Sequence, residues 1–161
     1  MIKYVTGDVM STKTDYLAYP ANFDGVVTHG IALDIKNKYP NVWVEYKRKC
    51  KEIGDGLFGT YIPIPVIDSK LTVLACFTQT SSSVSNKTTN LDEFKKVFKQ
   101  IEKSLRDKNK IITIPYRYGC GVNNVKWHEV HKILFDIFNK SNVTLQIVRR
   151  WEWTESEKEV S

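Results

Sequence analysis

The sequence has few of the residues that would announce a metal or disulfide scaffold. Its 161 residues hold three cysteines, Cys50, Cys76 and Cys120, an odd count with no CxxC pair. That argues against a disulfide framework and against a structural zinc site. The three histidines, His29, His128 and His131, make no metal pattern. His128 and His131 stand three apart on one expected helix, but no third ligand accompanies them. No metal and no cofactor are expected. The longest apolar run is far short of the roughly 20 residues that cross a bilayer, so no membrane partner is expected. The opening MIKYVTGDVM has no secretory h-region and reads as a strand and a turn. A cytoplasmic protein is the expectation. The common nucleotide signatures are missing too: no GxGxxG follows a strand and no GxxxxGK[ST] occurs. There is no internal repeat and no linker, and the length suits one domain.

What is present is a soluble-protein balance, 42% hydrophobic and 26% charged, with a net charge of +6. The excess of lysine favours an anionic partner without naming it. Basic residues cluster at 47–51 (KRKCK) and along 95–110. A nucleic-acid surface would more often interleave aromatic rings with such charges, so nucleic acid is the less favoured partner.

Apolar patterning divides the chain into strands and helices. Segments 2–6, 16–20, KIITIPY (110–116) and the run NVTLQIVRRW read as strands. Segments 56–66 and 70–78 are β-rich and separated by IDS, which predicts a hairpin. From His29 to about Glu52 apolar residues fall at helical spacing, with Pro40 expected to split the stretch in two. Asn90 should cap a helix carrying apolar residues at 91, 94, 98, 101 and 105. A last helix is expected from Val125, with Val130, Ile133, Leu134 and Ile137 turned inward. The run 80–89 reads as a mobile loop. Residues 1–152 are expected to form the domain, and 153–161 a disordered polar tail. Strands alternating with helices around a central hairpin predict an α/β fold, a three-layer α/β/α sandwich with a mixed sheet.

In such sheets ligands bind beyond the carboxyl ends of the strands. Two strand-to-helix loops qualify, ANFDGVVTHG (21–30) and YGCGVNN (118–124). Glycine lets backbone N–H groups approach a ligand closely, and a helix start favours a phosphate. Side by side, the loops would grip two adjacent phosphates. Read alone, each is equally well a turn.

Together with YVTGDV and FTQ, the motifs DGVVTHGIA, a helix ending in Tyr39–Pro40 and GCGVNNVKW resemble those of macrodomains in order and spacing. They are most similar to a phage and fungal branch that includes ADP-ribose-1″-phosphate phosphatases. The resemblance covers Ile2 to about Arg150. It implies ADP-ribose, or a close derivative, as ligand. Asp8 and the Val9 backbone would bind adenine, and Asn22 the distal ribose. Gly30, Ile31 and Ala32 would line one side of the diphosphate. Gly119, Cys120, Gly121, Val122 and Asn123 would line the other. Tyr118 would pack on the distal ribose, and Trp151 would stack on adenine or be buried. Asn22, Asp24 and His29 form a candidate water-positioning set for hydrolysis.

The departures from the family pattern narrow the chemistry. Thr28–His29 replaces Met-Gly, and Tyr19 stands where a histidine is usual. The related branch that frees ADP-ribose from glutamate uses a lysine and an aspartate where this chain has Gln79 and Asn123. Lysine-dependent deacylation is therefore not expected. The alternative to an enzyme is a non-catalytic module that sequesters an ADP-ribose-type signalling nucleotide, as in phage counter-defence, acting in the host cytoplasm if the source is viral. Oligomeric state is not legible.

Overall fold

A computed structural model describes residues 1–79, 89–120 and 125–160. The strands are β1 (Ile2–Thr6), β2 (Tyr16–Pro20), β3 (Tyr61–Pro65), β4 (Thr72–Cys76), β5 (Ile111–Pro115) and β6 (Thr144–Arg149). They form one sheet in the order β1-β6-β5-β2-β4-β3. All neighbours are parallel except β3, which runs antiparallel to β4 as the expected hairpin. The helices are α1 (Gly30–Lys38), α2 (Pro40–Ile53), α3 (Leu91–Leu105), α4 (Trp127–Phe138) and the short α5 (Glu155–Lys158).

Local sequence explains the boundaries. Pro40 lies at the first position of α2, where a missing N–H costs nothing, and so it divides α1 from α2. The Asn90 side chain accepts from the Glu93 N–H at 3.0 Å and starts α3. The loop expected at 80–89 lies almost wholly outside the described residues.

Strand alternation sorts the core into two layers. Leu17, Tyr19, Val73 and Ala75 pack with Ile35 of α1 and Val42 and Tyr46 of α2. Ala18, Leu74, Cys76, Ile112 and Ile114 pack with Phe94 and Phe98 of α3 and Leu134 of α4. The result is the expected three-layer α/β/α sandwich with a mixed sheet.

The β3 edge is protected. Phe77 donates to Thr60 and Val66 donates to Leu71, so even-numbered residues face β4. Pro63 and Pro65 then fall where an N–H would point outward.

Residues 153–158, expected to be disordered, fold back onto the sheet. Trp153 Nε1 donates to the Val5 carbonyl at 3.0 Å, and Tyr4 donates to the Lys158 carbonyl at 3.2 Å. The reason is a cation: Arg149, at the end of β6, is buried, and Glu157 comes back to meet it. Among the described residues no helix is long and apolar enough to cross a membrane.

Candidate functional site

β2 and β5 are parallel neighbours at the centre of the sheet. The chain leaves β2 for α1 on one face and β5 for α4 on the other. This is a topological switch point, where an open α/β sheet leaves a crevice. Sequence detail widens it. The β2–β5 ladder registers only Tyr16 with Ile112 and Leu17 with Thr113, whereas β2 and β4 stay paired to Pro20. Both central strands end in proline, Pro20 and Pro115, and neither has an N–H with which to bridge the gap.

The first loop is braced from below. The Asn22 amide donates to the Val26 carbonyl at 2.7 Å, and its side-chain oxygen accepts from the Asp24 N–H at 3.2 Å and the Val26 N–H at 3.3 Å. Tyr46 of α2 donates to the Asn22 carbonyl at 2.7 Å. Burial holds the Tyr46 phenol above its usual range, with nearby Cys50 and the charge of Asp24 adding to the shift. Asn22 therefore shapes the loop in this structure. Asp24 and His29 are exposed on the same loop, and His29 Nδ1 lies 3.0 Å from the Thr28 hydroxyl.

The start of α1 is bare. His29 gives no side-chain cap, and the first turn holds no acidic residue. Among the described residues, no hydrogen bond takes the N–H of Gly30, Ile31 or Ala32. A helix start in that condition carries partial positive charge and free donors, which suits an anion. Gly30 has φ +67°, a left-handed conformation that glycine adopts without strain.

The second loop is anchored differently. Gly119, φ +73°, gives its carbonyl to the Thr89 hydroxyl at 2.7 Å. The Cys120 N–H is already donated to the Arg117 carbonyl at 2.9 Å. Burial pushes the Cys120 thiol up to about 11, which makes a thiolate nucleophile there unfavourable. The expected ribose contact of Tyr118 needs correction. Its ring is 1% exposed and wedged between Phe94 and Phe98, because the turn at Arg117 directs it into the core. Gly121, Val122 and Asn123 lie outside the described residues.

The carboxyl ends of β1 and β6 lie at the same edge of the sheet as those of β2 and β5. Asp8 accepts from the Met10 N–H at 2.9 Å through one oxygen and faces the Arg150 guanidinium at 3.5 Å with the other. Val9 is half-buried against the α1 layer. Trp151 is 59% exposed, so of the two expectations for it burial is wrong. Asp8 and the first loop are separated by the three inter-strand steps from β1 to β2, about 14 Å in all. Sequence reasoning missed Arg149, Tyr46 and Thr89. Each is a polar residue in an otherwise ordinary run, and only tertiary contact gives it a role.

A groove of about 620 Å³ lies elsewhere, lined by Glu102, Arg106, Asp107 and Ser141 among others. Two contacts of its charged groups are internal: Arg106 pairs with Glu102, and the Asn142 amide donates to Asp107. No group of three or more metal-ligating side chains occurs among the described residues.

No family model matches the sequence. The macrodomain of Mycobacterium tuberculosis DarG superposes with a TM-score of 0.79 at 23% identity, covering 92% of this chain and 97% of that one. Thermosipho africanus DarTG, solved in complex with ADP-ribose, gives 0.79 at 18% identity over 98% of this chain and 44% of its own. A Trypanosoma brucei macrodomain in complex with ADP-ribose gives 0.65 at 15% identity, over 97% of this chain and 65% of that one. The fold is that of a macrodomain. One stretch of 51 residues is also 39% identical to a DNA ADP-ribosyl glycohydrolase of Mycobacterium tuberculosis, spanning 32% of this chain and 14% of that protein's length. The macrodomain resemblance read from the motifs thus holds for the fold.

Proposed function

We propose that this macrodomain-fold protein binds ADP-ribose, or a derivative substituted at the distal ribose, in the crevice between the loops after β2 and β5. One observation carries the reading. The bare start of α1 opens at the switch point, with Asp8 and the exposed Trp151 across the sheet at the ends of β1 and β6. Asp8 accepts from the adenine amine, Trp151 stacks on the base, and the N–H groups of Gly30, Ile31 and Ala32 hold the diphosphate. Gly119, Cys120, Gly121, Val122 and Asn123 form the opposite wall. The side chain of Asn22 keeps the first loop in shape, and its carbonyl oxygen faces Tyr46.

The chemistry we assign to the distal end is hydrolysis. Water replaces the group on the distal ribose, giving ADP-ribose and, from the 1″-phosphate, inorganic phosphate. In this reading Asp24 and His29, both exposed on the first loop, orient that water and meet charge on the departing group. An ADP-ribosyl group carried by DNA is a second substrate of the same kind, supported by the 51-residue likeness to a DNA ADP-ribosyl glycohydrolase. The competing reading is sequestration without turnover. It is favoured by Gln79, buried where the related deacylating branch has its lysine, and by the commitment of the Asn22 side chain to its own loop.

Calorimetry with ADP-ribose on wild type and Asp8→Ala tests the binding site. Heat is expected from the wild type and a large loss from the variant; equal heats would remove Asp8 from the site. Incubation with ADP-ribose-1″-phosphate and with ADP-ribosylated DNA separates the outcomes. Released phosphate or released ADP-ribose supports turnover, and tight binding without release supports sequestration.

A further inference from the structure

We infer that Arg149 and Glu157 are positioning residues for the base end of the crevice and act through Trp151; this rests on the ADP-ribose reading above. The side chain of Arg149 is 2% exposed. A guanidinium withdrawn that far from water is tolerated only when its donors are matched. Here they are. Nε donates to the Trp151 carbonyl at 3.1 Å, and Nη2 donates to the Glu152 carbonyl at 2.6 Å. Nη1 and Nη2 both reach the Glu157 carboxylate at 2.6 Å. Glu157 is itself held by the Thr154 N–H and hydroxyl.

The flat faces of the cation are used as well. Its carbon lies 3.9 Å from the Trp153 ring centre and 5.0 Å from those of Tyr116 and Trp151. Tyr116 is the first residue beyond β5, where the second loop begins, and Trp151 meets it edge-on at 5.8 Å. The turn that carries Trp151 is therefore fixed by two carbonyl contacts and a ring contact, while the ring itself stays exposed. Burial does not account for that combination, since an exposed ring contributes little to the core. A stacking surface set in place before the ligand arrives does account for it, because a rigid partner loses less freedom on binding. The contacts of Glu157 are with Arg149 and Thr154, so any effect it has on a base must pass through the Arg149 turn.

The test is a double-mutant cycle on the full chain, with ADP-ribose affinity measured by calorimetry and folding followed by thermal melting. Trp151→Ala should weaken binding roughly tenfold, the scale of a lost base stack. Glu157→Gln should weaken it several-fold, and the double variant should bind no worse than Trp151→Ala alone. If Glu157 supports only overall stability, its effect will instead multiply that of Trp151→Ala, and the proposal fails. It also fails if either single variant binds as the wild type does. A wild type that gives no heat with ADP-ribose defeats the crevice reading itself. Should Glu157→Gln not fold, Thr154→Val, which removes a hydroxyl that holds Glu157, takes its place in the cycle with the same outcomes.

Discussion

α1 and α3 begin in opposite ways within one molecule. α3 is closed: Asn90 accepts from Glu93, and Asp92 and Glu93 place carboxylates in the first turn. α1 is open: His29 caps nothing, no acid follows it, and the N–H groups of Gly30, Ile31 and Ala32 are untaken among the described residues. Both helices pack on the same sheet, one on each face, so each is part of the fold. What sets the start of α1 apart is its place beside the splayed ends of β2 and β5, where its free N–H groups can meet an anion.

That contrast can be broken deliberately. The largest effect is expected from Ala32→Glu, which places a carboxylate in the first turn of α1. It should strengthen the helix by about 0.3–1 kcal/mol. It should also repel a diphosphate and weaken ADP-ribose binding by more than about tenfold, as calorimetry would read. A variant that binds normally would mean that the anion lies elsewhere. A smaller effect is expected from Tyr46→Phe, which removes the hydroxyl bracing the Asn22 carbonyl. It should cost about 1–2 kcal/mol in urea unfolding, with a parallel loss of affinity because the loop feeding α1 loosens. An affinity unchanged at that stability loss would show that the brace and the binding loop are independent. The smallest is Asn90→Ala, which opens the start of α3. It should cost about 1 kcal/mol of stability and lower ADP-ribose affinity less than Ala32→Glu does, since the Asn90 side chain bonds within its own helix.

Much of this was legible in the sequence, for identifiable reasons. β1 and β2 were readable to the residue, because short apolar runs bounded by turn residues leave little choice. Pro40 and Asn90 marked helix boundaries through chemistry that acts within a turn or two. That two strand-to-helix loops qualify as ligand loops followed from alternation, but that they flank one switch point comes only from the strand order. What was not legible depends on long-range contact. Tyr118 reads as a loop aromatic beside two glycines, and only the positive φ at Arg117 turns it into the core. The segment after Trp153 is polar but for Val160, which is how a disordered tail reads. Its order comes from a single buried guanidinium at the end of β6, and nothing in the spacing of Arg149 and Glu157 signals that they meet.

The prolines of β3 have a consequence beyond the monomer. An open sheet has two rims, and here Pro63 and Pro65 blunt one of them by removing two of its outward donors. A strand arriving along β3 would leave two of its own carbonyls without a donor, so the sheet resists lengthening from that side.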